Sequence, residues 1–223
     1  MEIGNINLRW LGHSGFVLNT GSKTIYIDPY NIPENSEKAD IILITHSHYD
    51  HCSVADLKKI VKEGTKIMVP ADCPSKICRF DEEIDIQIVE PGKEFNIGDL
   101  RIITVAAYNI DKSFHPREEG WVGYLIKNPG VVVYHAGDTD VIPEMDKLTG
   151  HKQKGIEFIA LLPVGGRFTM SFEEAFEAVK KIKPSLAIPM HFGSVVGLEE
   201  DAKEFVQMCE EEGVKAKILD KNG

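Results

Sequence analysis

The sequence predicts an α+β fold in which two β-sheets pack face to face with helices outside them. Two observations carry this prediction. Short strand-like runs dominate both halves of the 223-residue chain, and helical patterns are inserted after each block of strands. At 43 % hydrophobic and 27 % charged residues the composition is ordinary for a globular chain that can bury a sizeable core. No linker, low-complexity tract or charge block interrupts it, so residues 1–223 read as a single domain.

Taken in order, Asn7–Leu11 reads as a first strand, broken at Gly12-His13-Ser14-Gly15. Phe16–Leu18 and Thr24–Ile27 form a hairpin around the turn-rich Asn19-Thr20-Gly21-Ser22. Ile41–Ile44 is an unbroken apolar run, which predicts a strand buried on both faces. Val54, Leu57, Ile60 and Val61 fall at helix spacing, ending near Gly64. Ile67–Val69 is a second buried strand, and Ile84–Val89, Phe95–Ile97 and Leu100–Val105 extend the β structure. Val122–Ile126 and Val131–His135 flank Asn128-Pro129-Gly130, a hairpin turn. Phe158–Leu162 is a strand. Ser171 with Glu174 forms a capping box that opens a helix to Ile182, stopped before Pro184. Leu186–Ile188 is a short strand, Glu199–Glu212 an amphipathic helix, and Ala216–Leu219 a last strand.

Lys and Arg total 25 against 35 Asp and Glu, a net charge of −10, which disfavours long nucleic acid as a partner. No apolar run approaches the roughly 20 residues that span a bilayer, so no membrane partner is expected. Met1-Glu2-Ile3-Gly4-Asn5 lacks the basic and apolar regions of a signal peptide. The four cysteines (Cys52, Cys73, Cys78, Cys209) do not form a disulfide framework, and Cys73 with Cys78 lacks a partner pair for structural zinc. These features predict a cytoplasmic protein acting on a small anionic or neutral substrate. They leave a homo-oligomer open.

Chemistry concentrates in His46-Ser47-His48-Tyr49-Asp50-His51, directly after a buried strand. A loop at a strand end lets a rigid scaffold aim side chains at one point. His46 and His48, two apart, share a side if the chain stays extended; Asp50 and His51 point elsewhere and suit a second centre. Imidazoles with carboxylates are the ligand set of zinc and other first-row divalent ions. Two further strand ends deliver the same residue types: Gly137-Asp138-Thr139 follows Val131–Tyr134, and Pro189-Met190-His191 follows Leu186–Ile188.

In this order and at these intervals, the three motifs resemble the metallo-β-lactamase superfamily over essentially the whole chain. Trp10-Leu11-Gly12-His13, Ile27-Asp28-Pro29 and Leu162–Met170 are most similar to the branch of L-ascorbate-6-phosphate lactonase-like proteins and uncharacterised metal-dependent hydrolases. The resemblance implies a four-layer αββα sandwich of two mixed sheets. It implies two divalent metal ions, zinc first, with manganese or iron compatible. His46, His48 and a later histidine would hold the first ion; Asp50, His51 and His191 the second; Asp138 would bridge them. Asp28 would orient a ligand histidine. Asp50 and His13 are the candidate catalytic residues. A metal-activated hydroxide would attack a small ester, lactone or phosphoester. A phosphodiesterase or nuclease is the alternative within hydrolases, and a di-iron oxidoreductase is the alternative of another class. The chain has no Gly-x-Ser-x-Gly elbow for serine chemistry.

The chain departs from the superfamily pattern after Ile102–Val105, where Ala106-Ala107-Tyr108-Asn109 stands in place of the usual histidine. The nearest histidine is His115, expected to complete the first site with Asn109 beside it; the alternative is that Asn109 coordinates weakly through its amide oxygen or leaves the site open. Pro116 is expected to hold His115 extended. Arg167 and Lys112 are the candidate substrate-binding cations, with Arg117 nearby. His135 is read as a strand-face residue or an outer partner of a ligand, and His151 as solvated surface.

Overall fold

Strict alternation along the N-terminal strands sorts their side chains between two cores. Phe16, Leu18, Ile25, Ile27, Ile41, Leu43 and Met68 join the larger core between the sheets. The intervening Val17, Tyr26, Ile42, Ile44, Ile67 and Val69 join a second core with Leu57, Ile60 and Val61. A sheet buried on both faces must have a sheet on one side and a helix on the other.

The computed structural model describes residues 1–77 and 80–221, so Cys78 lies outside the described residues. The first sheet runs β1 (Glu2–Ile3), β2 (Ile6–Gly12), β3 (Gly15–Asn19), β4 (Thr24–Ile27), β5 (Ile41–Leu43), β6 (Lys66–Val69) and β7 (Asp85–Ile88), in chain order. Pairing is antiparallel from β1 to β4 and parallel from β4 to β7. The second sheet repeats that plan: β8 (Glu94–Ile97), β9 (Leu100–Ala106), β10 (Val122–Asn128) and β11 (Val131–His135) are antiparallel, then β12 (Glu157–Pro163) and β13 (Leu186–Met190) follow in parallel.

Parallel neighbours need crossovers, and these carry the helices. They are α1 (Val54–Ile60), α2 (Pro74–Ile77) and α3 (Phe172–Ile182); α4 (Glu199–Glu211) follows β13. Ala175, Phe176, Val179 and Ile182 of α3, with Ala202, Phe205 and Cys209 of α4, close the outer face of the second sheet. The expected αββα sandwich of mixed sheets is what forms. The Ser171–Glu174 capping box is present, and α3 ends on Lys183 in the left-handed conformation, before Pro184. Among the described residues, no helix is long and apolar enough to cross a membrane.

One expected strand does not form. Residues 216–219 make a single bridge, Ala216 to Ala187 of β13, and the chain then crosses to pair Lys221 with Trp10 of β2. It links the two sheets instead of extending either.

At one end of the sandwich the sheets are joined by hydrogen bonds. Val122 N donates to Thr45 O at 3.1 Å and His191 N to His13 O at 3.0 Å. The Tyr124 hydroxyl reaches from β10 to Ile44 O at 2.8 Å.

Asp56 in α1 fixes the segment after β4. Its carboxylate accepts from Asn31 N (3.0 Å), Ile32 N (3.1 Å), Ser53 Oγ (2.6 Å) and Lys59 Nζ (3.0 Å). Burial pushes this carboxyl's pKa up, but the bonds from Ser53, Lys59, Asn31 and Ile32 outweigh it and hold it below its ordinary value. Asp56→Ala is expected to lose about 1–3 kcal/mol of stability. A depressed folded pKa contributes stability that is present above the unfolded pKa and lost as pH falls through the folded one. Urea unfolding should therefore separate wild type and variant at neutral pH and bring them together in acid.

Candidate metal centre

The ligand-type residues sit where strands end. Asp28 follows β4, His46 follows β5, Asp138 follows β11 and His191 follows β13, all at the end where the sheets are hydrogen-bonded together. Six non-glycine residues have positive φ among the described residues, and four are His13 (52°), Asp28 (44°), His115 (58°) and His191 (61°). Such conformations cost of order 1–3 kcal/mol each and persist where surrounding structure enforces them. His115 thus corrects one expectation. It is left-handed rather than extended: its own O accepts from Asn109 N at 2.8 Å, closing the loop back on itself, and this overrides the bias from Pro116. Gly137, at φ +67°, is required beside Asp138, because a Cβ there would meet Val122 O at 3.0 Å.

The structure gathers the residues into two groups. Ligand atoms of His46, His48 and His115 lie within 4.8 Å of one another, and so do those of His13, Asp50, His51 and His191. Asp138 stands between them. Its carboxylate is 3.2 Å from His115 Nε2 and 3.8 Å from His46 Nε2 on one side, and 3.4 Å from His51 Nε2 and 3.1 Å from His191 Nε2 on the other.

Hydrogen bonds behind the rings decide which nitrogens face inward. The Thr45 hydroxyl has one proton, given to Asp28 Oδ2 at 2.6 Å. Thr45 Oγ1 must then accept from His46 Nδ1 at 2.9 Å, which leaves a lone pair on His46 Nε2. Asp28 Oδ2 also accepts from His51 Nδ1 at 2.7 Å. His115 Nδ1 donates to Phe168 O at 3.0 Å. All three rings therefore turn Nε2 toward the centre, the arrangement by which outer partners orient metal-binding histidines. On the first side, His46 Nε2 and His115 Nε2 both approach His48 Nδ1, at 3.0 and 3.1 Å. A single N–H cannot serve two lone pairs at full strength, whereas a cation can. His51 Nε2 and Asp138 Oδ1, 3.4 Å apart at the centre, are buried with no hydrogen-bond partner. These observations fit divalent metal.

Electrostatics follow from the same contacts. Burial, then the charge of His51, holds His46 well below the ordinary histidine value, so its ring is neutral. His48 is lowered too, by burial and then by His115. At His51 burial acts downward, but Asp138 and Asp28 outweigh it and hold its pKa well above 6.5. Burial would raise Asp138, yet His191 and His51, with the close approach of the His115 and His191 rings, keep it well below the usual carboxylate range.

Asn109 lies beside His115, its Nδ2 3.3 Å from His115 Nδ1, and its Oδ1 is buried with no hydrogen-bond partner. Its amide nitrogen donates to Phe114 O (2.8 Å) and Phe168 O (2.7 Å), stapling the loop that carries His115. His13 donates from Nε2 to Asp50 Oδ2 at 3.0 Å, and its Nδ1 lies 3.3 Å from Ser194 Oγ. Burial, with repulsion from His191 and His51, brings His13 down to about 4 despite that bond. Asp50 comes down to about 2, because His13 and His51 outweigh its burial.

An open cleft of about 380 Å³ leads to the centre, lined by His48, Asp50, His115, Asp138 and His191, with Tyr49, Phe114, Arg167, Phe168 and Val195. Of the two expected substrate cations, Arg167 lines it and Lys112 does not. Lys112 pairs with Asp140 and lies 3.4 Å from Glu174, two carboxylates that hold it away from the cleft. Arg117 pairs with Glu144 at 3.0 Å. His13 does not line this cleft either; it borders a separate cavity of about 350 Å³ with Trp10, Tyr30 and Phe192. His135 is buried on its strand, 2.8 Å from Ser14 O. His151, expected at the solvated surface, is half-buried edge-on to Phe158 at 5.4 Å.

Sequence reasoning missed Thr45 and Trp121. Trp121 packs against His46, His48 and His115 at 4.9, 5.0 and 5.5 Å between ring centroids, and its Nε1 donates to Asp72 at 3.0 Å. Thr45 could have been found, as a hydroxyl between a buried strand and the first histidine. Trp121 carries no local signal.

The αββα fold and its histidine–carboxylate centre define a protein of the β-lactamase superfamily, and the model of the beta-lactamase superfamily domain matches residues 7–191. Within that superfamily the chain belongs to the UPF0173 metal-dependent hydrolases. One such hydrolase, from Pyrococcus furiosus, is 32 % identical over 96 % of this chain and 95 % of its own. The crystal structure of a protein from Parabacteroides distasonis, classed as a metal-dependent hydrolase, superposes with a TM-score of 0.83 at 28 % identity, over 96 % of this chain and 92 % of that one. CmlA of Streptomyces venezuelae, a diiron β-hydroxylase, has a TM-score of 0.72 at 16 % identity over 99 % of this chain and 54 % of its own; that likeness shows the fold alone.

Thr45→Val keeps shape but removes the hydroxyl between Asp28 and His46. Metal affinity is expected to fall about 10–100-fold, measured by chelator competition, while Thr45→Ser retains it.

Proposed function

We propose that this chain is a hydrolase that holds two divalent ions, zinc foremost, and cleaves a small ester, lactone or phosphoester. The observation that carries the reading is Asp138, which stands between two groups of inward-turned imidazoles. His46, His48 and His115 would hold one ion and Asp50, His51 and His191 the other, with Asp138 placed to serve both. Neutral imidazole and carboxylate suit zinc, and manganese or iron tolerate them.

When bound, such ions supply a water acidic enough to ionise near neutral pH and polarise the bond under attack. The chain's own residues do the rest. Asp50, held ionised by the His13 N–H, lines the cleft and would present its carboxylate to the second ion and orient what binds there. His13 fixes the carboxylate's orientation from behind. Asp28 and Thr45 keep His46 and His51 in one tautomer each. Trp121 packs against the first three imidazoles and shields them. Charge supports a small substrate: −10 over the chain opposes a long polyanion.

After reconstitution with zinc or manganese, elemental analysis is expected to find two ions per chain, and a panel of lactones, aryl esters and phosphodiesters to show turnover that chelation abolishes. Asp138→Ala should lose both the ion pair and turnover while keeping its circular dichroism. Retained turnover with two ions bound would place the bridge elsewhere. His115→Ala should weaken metal binding by more than the roughly 10–100-fold expected of an outer partner, and Asn109→Ala by less than His115→Ala. Titrations in which only the Asn109 variant loses metal would reverse the assignment.

A further inference from the structure

The cleft combines one cation with an apolar rim. Arg167 is its one Lys or Arg, and among the described residues its guanidinium has no carboxylate partner and no side-chain hydrogen bond. The nearby cations Lys112 and Arg117 are already paired with Asp140 and Glu144. Arg167 lies over the Phe168 ring at 4.9 Å, and Phe168 meets Phe114 edge-on at 4.6 Å. Tyr49 is 64 % exposed, Phe114 46 % and Val195 37 %, so half of the six exposed large apolar residues among those described converge on this one mouth. Clustered apolar exposure beside a site marks a binding surface, where scattered exposure would not.

The loop bearing Arg167 is anchored to both halves of the centre. Phe168 O receives His115 Nδ1 and Asn109 Nδ2. Gly165 packs so tightly on the other side that a Cβ would stand 2.6 Å from His191 O. Arg167 N donates to Gly165 O at 2.8 Å, and Gly166 N to Met170 O at 2.9 Å. The guanidinium is thus carried by a backbone fixed relative to the metal ligands, while its planar donors remain available. That fork matches the paired oxygens of a carboxylate or phosphate.

We propose that Arg167 selects substrates bearing an oxyanionic group, carboxylate or phosphate, on a compact apolar or aromatic body, at a position away from the bond that is cleaved. The body lies against Phe114, Phe168, Tyr49 and Val195, and the oxyanion pairs with the guanidinium. Water adds across the scissile bond and the oxyanionic group leaves unchanged on its fragment. This rests on the hydrolase reading above.

The test uses the metal-loaded full chain and two matched pairs: phenyl acetate with 4-carboxyphenyl acetate, and methyl phenyl phosphate with methyl 4-carboxyphenyl phosphate. Wild type is expected to favour the carboxylated member in kcat/KM by about 10–100-fold, the range for a hydrogen bond to a charged group. Arg167→Ala should lose most of that ratio, and Arg167→Lys should keep part of it, as charge without the fork. A second arm measures binding by calorimetry. Benzoate and phenyl phosphate should each weaken by about tenfold or more in Arg167→Ala, and benzamide far less. The tighter of the two anions identifies the oxyanion. No preference within either pair, or equal slowing of both members in Arg167→Ala, overturns the proposal and leaves the hydrolase reading standing. Anion binding lost in Arg167→Ala with no turnover of any substrate keeps the anion subsite and removes the hydrolase reading.

Discussion

The centre depends on one buried carboxylate that never faces the cleft. Asp28 is wholly inaccessible, and it accepts from Thr45 N, Thr45 Oγ1 and His51 Nδ1 within 2.8 Å. Its three bonds set the end of β5, the direction of the Thr45 hydroxyl and, through that hydroxyl, the tautomer of His46. One ring in each half of the centre is therefore aimed by the same oxygen, Asp28 Oδ2. A buried charge persists only when it is paired and hydrogen-bonded, and here the partners that satisfy it are the ones the site needs oriented.

Backbone geometry tells the same story. Asp28 takes a positive φ directly after β4, and His191 does so directly after β13. Each sharp turn ends a strand and directs a side chain toward the seam between the sheets. The two sheets share one plan, an antiparallel start and a parallel finish. Parallel strands ending at a common edge bring residues distant in sequence to one place, and loops at such edges are where function resides.

Most of the fold was legible because strand burial writes itself as apolar runs and turns as Gly, Pro and Asn. The hairpins, the α3 capping box and the helix–sheet order all follow from local chemistry. Residues 216–219 look like a strand by composition, but pairing is a tertiary matter, and that segment crosses between sheets. At the site, His46, His48, Asp50, His51, Asp138 and His191 were legible because each follows a strand-like run, and His115 because its surroundings lack any other imidazole. Lys112 was misread since its partner Asp140 lies 28 residues away. The bias of Pro116 on His115 lost to a hydrogen bond that sequence alone does not reveal. Thr45 and Trp121 act only through what they touch, so residue type gave Trp121 no distinction.

The seam also bears on when the centre can come into being. His46, His48, Asp50 and His51 belong to the first sheet's connections, whereas His115, Asp138 and His191 belong to the second's. Neither half of the chain carries a complete set for either group. An ion needing ligands from both can be gripped in full only after the sheets have docked and Val122 and His191 have closed their hydrogen bonds across the join. Complete coordination therefore belongs to the docked sandwich, and an ion held there would act as a clasp over a very long loop, stabilising the docked state in proportion to its affinity.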